Sequence, residues 1–355
     1  MANIDLSKLV RPNVKSLKAY HVDNHDCKIK LHANENPFQL PPEILDLISC
    51  SFKDFHFNRY PDPGCQQLRK AISNITNIPP QNLVVGNGSD ELLQLILQVF
   101  CEPGDGVAFP DPSFAMYSIL AKSMDLKPVP FSLNDQWDFK ADSFLDIAEQ
   151  NKTKVVFFSY PNNPTGNCFS SEEIEKTLDN FQGIVVLDEA YYDFAQKTFK
   201  DHLETNNNLI ILRSLSKIGL AALRVGFAAA SPLIVEELNK IRLPYNSNSV
   251  SQMVANEALN QFHLIQKQID LIIQERTRLF EALSKLKEIK VFPSDSNFLL
   301  FKTSQNSGEV FQKLAQKDIL LRDLSSHPKL KNCLRATIGT PDENANFLQE
   351  IKKIL

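Results

Sequence analysis

The sequence has no long uncharged apolar stretch and no excess of positive charge. Across its 355 residues, no such run reaches the roughly 18 residues that a membrane helix needs. The formal net charge is −4, so no overall positive field attracts nucleic acid or anionic lipid. The first residues include an early aspartate and no apolar core, which is not typical of a secretory signal. These absences predict a cytoplasmic protein with no nucleic-acid or membrane partner.

Cysteine and arginine are both sparse. The six cysteines are scattered without a CxxC pair, which indicates reduced thiols rather than disulfides. Cys65 and Cys168 have no evident base partner, so we do not expect nucleophilic roles. His21 and His25 have a spacing that could suit a metal, but nothing before them predicts a helix to hold it, and we expect no metal site. With 10 arginines against 28 lysines, an arginine at a strand end is informative.

Three regions of the chain differ in their patterning. Residues 1–45 contain four prolines and predict an irregular arm. Residues 46–245 predict a large domain in which short apolar runs alternate with helical patterns, and residues 246–355 predict a smaller α+β domain that begins with helix. The last helix is predicted to follow Thr340, where a capping box is combined with a proline at the first helical position.

Six apolar runs in the large region predict strands. Because these runs are apolar throughout rather than alternating, they suit an open α/β sheet covered by helices on both faces. Ligands of such sheets bind beyond the carboxyl ends of the strands. The predicted strands are Leu83–Gly86, Gly106–Phe109, Val155–Tyr160, Ile184–Leu187, Leu209–Leu212 and Val225–Ala230.

Polar groups of distinct chemistry follow three of these strands. Lys217 ends one apolar run among hydroxyl residues, Asp188 and Tyr191 follow a second, and an Asn-Asn pair at 162–163 follows a third. A lysine amine, a carboxylate, a phenol and an amide predict a site for an aromatic aldehyde cofactor, and the physical interpretation is pyridoxal phosphate held by a Schiff base. Taken alone, Lys217 could be a solvated surface lysine and Asp188 an exposed helix cap.

Eight segments together carry a resemblance to a known family. Four resemble class I and II aminotransferases of fold type I: GNGSDE (86–91), PNNPTG (161–166), DEAYYDF (188–194) and SLSKIGLAALRVGF (214–227). Four more narrow the resemblance to the histidinol-phosphate aminotransferases: HANENP (32–37), NRYPDPG (58–64), LLRD (320–323) and CLRATIGT (333–340). The resemblance implies an α/β fold, in which helices sandwich a mostly parallel mixed sheet, with a smaller α+β domain. The arm at 1–45 would join the small domain and a dimer partner.

The resemblance also implies roles around the cofactor ring. Lys217 would form the Schiff base and then move the proton, for which cationic neighbours have to lower its pKa. Asp188 would pair with the pyridine nitrogen, and its burial would require a cationic partner. Asn163, in preference to Asn162, would bind the ring O3′ together with Tyr191.

Further cofactor residues are implied at the phosphate and on the ring face. Gly88, Ser89 and Asp90 end a strand and open a helix, where backbone N–H groups and the helix terminus favour phosphate. Arg224 would supply the positive charge, although it lies one residue closer to Lys217 than the family pattern leads us to expect. The hydroxyl groups of Ser214 and Ser216 would also bind the cofactor phosphate, and Phe114 would stack on the cofactor ring. Tyr60 would reach the cofactor phosphate of the neighbouring subunit.

Two arginines limit the class of substrate to anions. Arg335 resembles the arginine that grips a substrate carboxylate, and a guanidinium fork fits phosphate equally well. Arg322, Tyr20 and Tyr245 resemble further donors to a substrate phosphate, and Asn34 borders the same entrance. The resemblance implies a homodimer with shared active sites that transfers the amine of L-histidinol phosphate to 2-oxoglutarate. The products would be imidazole-acetol phosphate and L-glutamate, in L-histidine biosynthesis.

Three alternatives stay open at this point. A threonine-phosphate decarboxylase of the same fold would also recognise phosphate, and an aromatic amino-acid aminotransferase would prefer phenylpyruvate to a phosphate ester. A regulatory protein could use the fold as a sensor, but residues 1–45 show no helix-turn-helix pattern or basic stripe.

Overall fold

The computed structural model describes residues 4–19 and 26–355. Its strands in chain order are β1 Ile29–Lys30, β2 Leu83–Asn87, β3 Gly106–Asp111, β4 Lys127–Ser132, β5 Thr153–Ser159, β6 Ile184–Asp188, β7 Leu209–Ser214, β8 Val225–Ala230, β9 Ile289–Val291, β10 Phe298–Thr303, β11 Ile319–Leu320, β12 Arg322–Asp323 and β13 Cys333–Thr337. Its helices are α1 Pro12–Lys15, α2 Pro42–Ser51, α3 Gln66–Thr76, α4 Ser89–Phe100, α5 Met116–Ser123, α6 Ala141–Gln150, α7 Ser171–Asn180, α8 Tyr192–Ala195, α9 Pro232–Ile241, α10 Ser249–Asn260, α11 Phe262–Ser284, α12 Ser307–Ala315 and α13 Pro341–Ile354.

A seven-stranded sheet forms the centre of the large region, in the order β2-β8-β7-β6-β5-β3-β4. Only β8 runs against its neighbours, so the sheet is mixed and mostly parallel. All six predicted strands are present, and the fold class is confirmed. The carboxyl ends of β5, β6 and β7 therefore lie side by side at one edge of the sheet.

The edge strand β4 was not predicted from the sequence. Its segment contains Pro128 and Pro130, and proline in an apolar run argues against a central strand. In the structure β4 pairs with β3 alone. The two prolines are two residues apart, so their backbone nitrogens lie on the same side of the strand. Because no further strand pairs with β4 on its outer side, the missing N–H groups cost no hydrogen bond there.

Side chains of the sheet pack into helices on both faces. Along β5, Val156 and Phe158 join one buried cluster, whereas Val155 and Phe157 join the other. Successive side chains of a strand point to opposite faces, so a strand that is covered on both sides has to be apolar at every position. This burial explains why the strands were recognisable as unbroken apolar runs.

The N-terminal arm is more regular than predicted. Residues 42–45 form the first turn of α2, with Pro42 at the first helical position, where its missing N–H costs nothing. Strand β1 pairs in parallel with β11, and Leu31 continues this pairing by donating its backbone N–H to the Leu320 carbonyl at 2.8 Å. The expectation of an irregular arm was therefore wrong for these segments, because short helices and strands leave little local pattern.

The C-terminal region contains a four-stranded antiparallel sheet in the order β12-β13-β10-β9. The capping box before α13 is confirmed: the Thr340 hydroxyl accepts from the Glu343 backbone N–H, and the Glu343 carboxylate accepts from that of Thr340. Across residues 4–19 and 26–355, no helix is long and apolar enough to cross a membrane.

Candidate active site

A cavity of about 580 Å³ opens where β5, β6 and β7 end. Residues from the arm and from the C-terminal sheet close its other side, so the site draws on segments more than 300 positions apart in the chain. Thirteen of the predicted site residues line the cavity: Asn34, Ser89, Asp90, Phe114, Asn163, Asp188, Tyr191, Ser214, Ser216, Lys217, Arg224, Arg322 and Arg335.

Lys217 lies on a short 3₁₀ turn, Leu215–Ile218, directly after β7. Its Nζ donates to the backbone carbonyl of Ala33 at 3.5 Å. Burial is the main cause that lowers the pKa of Lys217 to about 8, and the positive charge of Arg335 adds to the effect. The expected lowering by cations is therefore present, but the loss of hydration contributes more.

Asp188 ends β6, and only 4% of it is exposed. Its Oδ2 accepts a hydrogen bond from the phenol of Tyr117 at 2.8 Å, and its Oδ1 accepts from the Ala190 backbone N–H. Burial raises the pKa of Asp188 to about 6, although both hydrogen bonds oppose that rise. Among the described side chains no cation is hydrogen-bonded to this carboxylate, so its charge is left for a cationic ligand to offset.

Tyr117 was missed by the sequence analysis. It is fully buried in α5 and stacks on Phe157, with ring centroids 4.9 Å apart. Burial raises the pKa of its phenol well above the usual range, which keeps the hydroxyl protonated as a donor to Asp188. A tyrosine in an amphipathic helix cannot be distinguished from any other core residue by its local sequence, so no local signal indicates this role.

The two asparagines after β5 have separate tasks. Asn162 is fully buried, and its side chain bonds to the Pro112 carbonyl, Thr165 and Ser113, which holds the turn together. Asn163 lines the cavity, and its Oδ1 accepts from the guanidinium of Arg335. The turn thus presents the second asparagine, and not the first, to the cavity.

Tyr191 and Asn34 form a second polar pair in the cavity wall. The Asn34 amide donates to the Tyr191 hydroxyl at 2.9 Å. Asn34 adopts a left-handed backbone with φ of 56°, and Thr337 and Asn297 hydrogen-bond its backbone and side chain. Asn34 was expected at the entrance. It is instead buried and orients the phenol.

The turn between β2 and α4 forms one end of the cavity. Gly88 caps α4 with a φ of 78°, and a Cβ there would lie 2.7 Å from the guanidinium of Arg224. Arg224 itself pairs with Asp90 at 3.2 Å. On β8, Gly226 allows the turn to approach, because a Cβ on it would lie 2.4 Å from the Ser89 backbone nitrogen. Gly226 was not predicted as a site residue.

Two hydroxyl groups and an aromatic ring complete this part of the wall. The Ser214 hydroxyl donates to that of Ser216 at 2.8 Å, at the junction of β7 and the lysine turn. Phe114 meets Tyr117 edge to face, with centroids 5.6 Å apart. Phe114 thus lines the cavity while it packs against the ring that supports Asp188.

Arg322 and Arg335 come from adjacent antiparallel strands and occupy directly paired positions. Arg335 is buried, and its second guanidinium nitrogen donates to the His32 carbonyl at 2.8 Å. Cross-strand partners lie about 5 Å apart, so the register of β12 and β13 brings two positive groups to one wall of the cavity. Both of these arginines, out of ten in the chain, line the cavity.

Some predicted residues do not line this cavity. Tyr60 is 81% exposed and stacks on Tyr245, with centroids 4.5 Å apart, at the surface of the chain. Tyr245 does not line the cavity either, and its expected contact with a substrate phosphate stays a prediction. Gly88 is a neighbour of the cavity through Arg224 rather than part of its lining. Tyr20 lies outside the described residues.

The other reactive residues weighed from the sequence have unfavourable surroundings. Burial raises the pKa of the Cys65 thiol to about 11 and also raises the pKa of Cys168. A buried thiol with a raised pKa holds little thiolate at neutral pH. In the described part of the chain, no three histidine, cysteine or carboxylate side chains cluster in a way that could hold a metal.

The chain is similar to known aminotransferases over nearly its full length. The family model for aminotransferase class I and II matches residues 26–351. The chain is 39% identical over 351 residues to the histidinol-phosphate aminotransferase of Caldanaerobacter subterraneus subsp. tengcongensis, with 99% of each chain covered. It is 36% identical over 346 residues to that of Aquifex aeolicus, with 97% of this chain and 98% of the relative covered.

Solved structures share the fold. The histidinol-phosphate aminotransferase of Sinorhizobium meliloti in complex with pyridoxal-5'-phosphate superposes with a TM-score of 0.87 at 20% identity, covering 98% of each chain. A mutant aspartate aminotransferase of Thermus thermophilus gives a TM-score of 0.83 at 17% identity, covering 98% of this chain and 99% of that one. From the match of the family model and the full-length relatives, the chain belongs to the class I and II aminotransferase family.

Proposed function

We propose that the chain catalyses the pyridoxal-phosphate-dependent transamination of L-histidinol phosphate and 2-oxoglutarate to imidazole-acetol phosphate and L-glutamate, in L-histidine biosynthesis. The observation that carries this is one cavity in which Lys217, Asp188 and the Arg322–Arg335 pair meet. Relatives named as histidinol-phosphate aminotransferases, 36–40% identical over nearly the full chain, support the same assignment.

The residues of the cavity fit pyridoxal phosphate. Its pyridinium suits the buried carboxylate of Asp188, which has no cation hydrogen-bonded to it among the described residues. Its phosphate suits the N-terminus of α4, where the N–H groups around Ser89 and the charge of Arg224 lie next to Ser214 and Ser216. When bound, the cofactor supplies an electron sink that allows the amine to be exchanged between substrates.

Lys217 is the proposed group that binds the cofactor covalently and moves the proton. An amine with a pKa near 8 is partly uncharged at neutral pH, so it can act as a nucleophile and as a base. No other described lysine lines the cavity.

Three further side chains are proposed to set the cofactor's charge and position. Asp188 would keep the ring nitrogen protonated, since a buried carboxylate is stabilised when a cation is placed beside it. Asn163 and the Tyr191 hydroxyl would bind the ring oxygen, and Asn34 holds that hydroxyl in place. Phe114 would cover one face of the ring.

The substrate end is assigned to the two arginines. Arg335 would bind the carboxylate of glutamate and the phosphate of the second substrate in alternation, because its planar fork accepts both anions. Arg322 would contribute mainly to the phosphate. We therefore expect Arg335→Leu to impair both half-reactions and Arg322→Leu to impair mainly the phosphorylated one. Equal losses in both half-reactions for Arg322→Leu would contradict this pocket.

Two measurements test the proposed function. Borohydride reduction of the cofactor-loaded protein, followed by peptide mapping, is expected to find a pyridoxyl group on Lys217, and an adduct elsewhere would refute the site. Incubation of 2-oxoglutarate with L-histidinol phosphate is expected to yield glutamate. Release of CO₂ from threonine phosphate would favour the decarboxylase, and a preference for phenylpyruvate would favour the aromatic aminotransferase.

We further propose that the enzyme is a cytoplasmic homodimer with shared active sites. The exposed Tyr60–Tyr245 pair supports this, because a stacked aromatic pair that is open to solvent is typical of a surface which a partner covers. Tyr245 also has a left-handed backbone with φ of 60°, which is costly for a large side chain. The domain boundaries at 45 and 245 are part of the same proposal.

A further inference from the structure

His32 occupies the wall of the active-site cavity next to the arginine pair. It lies two residues after the end of β1, and its backbone carbonyl accepts the hydrogen bond from Arg335 at 2.8 Å. Its side chain is partly exposed, and the residue lines the cavity. The resemblance to the family implies no role for the imidazole itself.

The charges around His32 favour the neutral ring. Burial lowers the pKa of His32, and the positive charges of Arg322, Arg335 and Lys30 lower it further. Glu35 opposes these effects. At neutral pH the imidazole is therefore uncharged, with a hydrogen on one ring nitrogen only.

Burial of one ring nitrogen decides where that hydrogen lies. Nδ1 is fully buried and has no hydrogen-bond partner among residues 4–19 and 26–355. A buried N–H without an acceptor is rarer and costlier than a buried lone pair, so Nδ1 carries the lone pair. The hydrogen consequently lies on Nε2. This nitrogen, unlike Nδ1, is not among the buried atoms without a partner, and the residue that carries it lines the cavity.

We propose that His32 is a further substrate-contacting residue, whose Nε2–H donates to a phosphate oxygen of the substrate and favours a phosphate ester over a carboxylate. The inference rests on the proposed function. A guanidinium fork occupies two anion oxygens. A carboxylate has no more than two, whereas a phosphate ester has three terminal oxygens and leaves one for another donor. A neutral donor satisfies that oxygen without adding a third charge beside Arg322 and Arg335.

The test compares two substitutions in the cofactor-loaded enzyme by calorimetric binding. His32→Phe keeps the ring and removes the donor, and His32→Gln supplies an amide N–H near the position of Nε2. The probes are glycerol 3-phosphate, a phosphate ester without an amine, and glutarate, a dicarboxylate without an amine. A hydrogen bond to a charged group is worth roughly a 10- to 100-fold change in affinity. We expect His32→Phe to lose that much for glycerol 3-phosphate and little for glutarate, and His32→Gln to recover most of the loss.

Three results would overturn the inference. Unchanged binding of glycerol 3-phosphate by His32→Phe would mean that no donor was lost. Equal losses for both probes would indicate that the substitution displaces Arg335, which is bonded to the His32 backbone carbonyl, and not that a donor to phosphate was lost. A loss in His32→Gln as large as in His32→Phe would indicate packing of the ring. If His32→Phe does not retain cofactor, His32→Ala is measured in its place with the same expectation.

The same experiment separates this inference from the proposed function. If the parent enzyme binds the phosphate ester and produces glutamate from L-histidinol phosphate while His32→Phe is unaffected, only the role of His32 is wrong. If the parent enzyme binds glutarate but neither binds the phosphate ester nor accepts L-histidinol phosphate, the proposed substrate is wrong and the role of His32 falls with it.

Discussion

At Asp188, the stability of the fold and the proposed function oppose each other. Its pKa is about 6 in the folded chain, against a usual value of 3.8. An acid whose pKa is raised by folding stabilises the fold fully below its unfolded pKa and loses that contribution as the pH rises through its folded pKa. At pH 8 the carboxylate is charged in both states, and its burial costs the cofactor-free protein about 1–3 kcal/mol.

Asp188→Asn is therefore expected to stabilise the cofactor-free protein at pH 8 by about 1–3 kcal/mol and to abolish cofactor retention. The gain should shrink as the pH falls from 6 to 4, where the parent carboxyl becomes neutral. Urea unfolding at several pH values measures this. Asp193→Asn is the control, because burial raises the pKa of Asp193 to about 6 as well but the residue lies outside the active-site cavity. A destabilised Asp188→Asn protein at pH 8 would contradict the argument.

The lowered pKa of Lys217 predicts the pH dependence of cofactor loading. The uncharged amine attacks the aldehyde, so the loading rate of cofactor-free protein should rise with pH and level off above about 8. Arg335→Met removes a cation that lowers this pKa, and the midpoint should move to higher pH. Stopped-flow absorbance across pH 6–10 is the measurement, and Arg322→Met on the paired strand is the control. An unchanged midpoint in Arg335→Met would contradict a contribution of the Arg335 charge to the lowered pKa of Lys217.

At the scale of elements, the close approach of β8 and α4 determines one end of the site. Gly226 has an ordinary strand backbone, so its glycine is required by space and not by φ. A methyl group there would meet the backbone of Ser89. The N-terminus of α4 can keep this position, where we propose that it binds phosphate, only while residue 226 has no side chain.

Gly226→Ala is expected to cost about 1–3 kcal/mol of stability and to weaken cofactor affinity, because the start of α4 has to shift. Equilibrium dialysis and thermal unfolding measure the two effects. Gly104→Ala is the matched control: its φ is +93°, but a Cβ would have open space around it. That change should cost roughly 1 kcal/mol through backbone strain and leave cofactor affinity unchanged. Retention of full affinity in Gly226→Ala would argue against a fixed position for the turn.

Element types were predictable where burial gave them a repeating pattern. Every predicted strand of the large sheet is present, since strands covered on both faces are apolar at each position. The strands that were missed are β4, whose prolines are tolerated only at an edge, and the short β1, β11 and β12. Strands of two residues leave no periodicity to detect.

At the scale of the whole molecule, the cavity depends on how the four-stranded sheet meets the seven-stranded sheet. Asp111, at the end of β3, is bonded by His327 at 2.9 Å and by Lys329 at 3.3 Å, both from the loop between β12 and β13. These contacts connect the arginine-bearing strands to the large sheet. They place the proposed substrate groups opposite the proposed cofactor groups.

The proposed shared active sites predict complementation between two inactive variants. Tyr60→Ala and Lys217→Ala homodimers should each have little activity. When the two proteins are unfolded and refolded together, half of the dimers are mixed, and each mixed dimer has one intact site if Tyr60 serves the partner's site. About a quarter of the parent activity is then expected. No recovery, with dimers present by sedimentation, would mean that each site is made by one chain.

The sequence by itself determined the chemistry at the strand ends, namely Lys217, Asp188 and the asparagine turn, because each follows a buried strand within a few residues. Only the tertiary structure decided which groups support them. Tyr117 is hydrogen-bonded to Asp188, which lies 71 positions later in the chain. Arg322 is paired with Arg335 by strand register. His32, near the start of the chain, lies beside these two arginines near its end. Local patterns encode burial and turns, whereas these contacts arise from packing between segments that are distant in the chain.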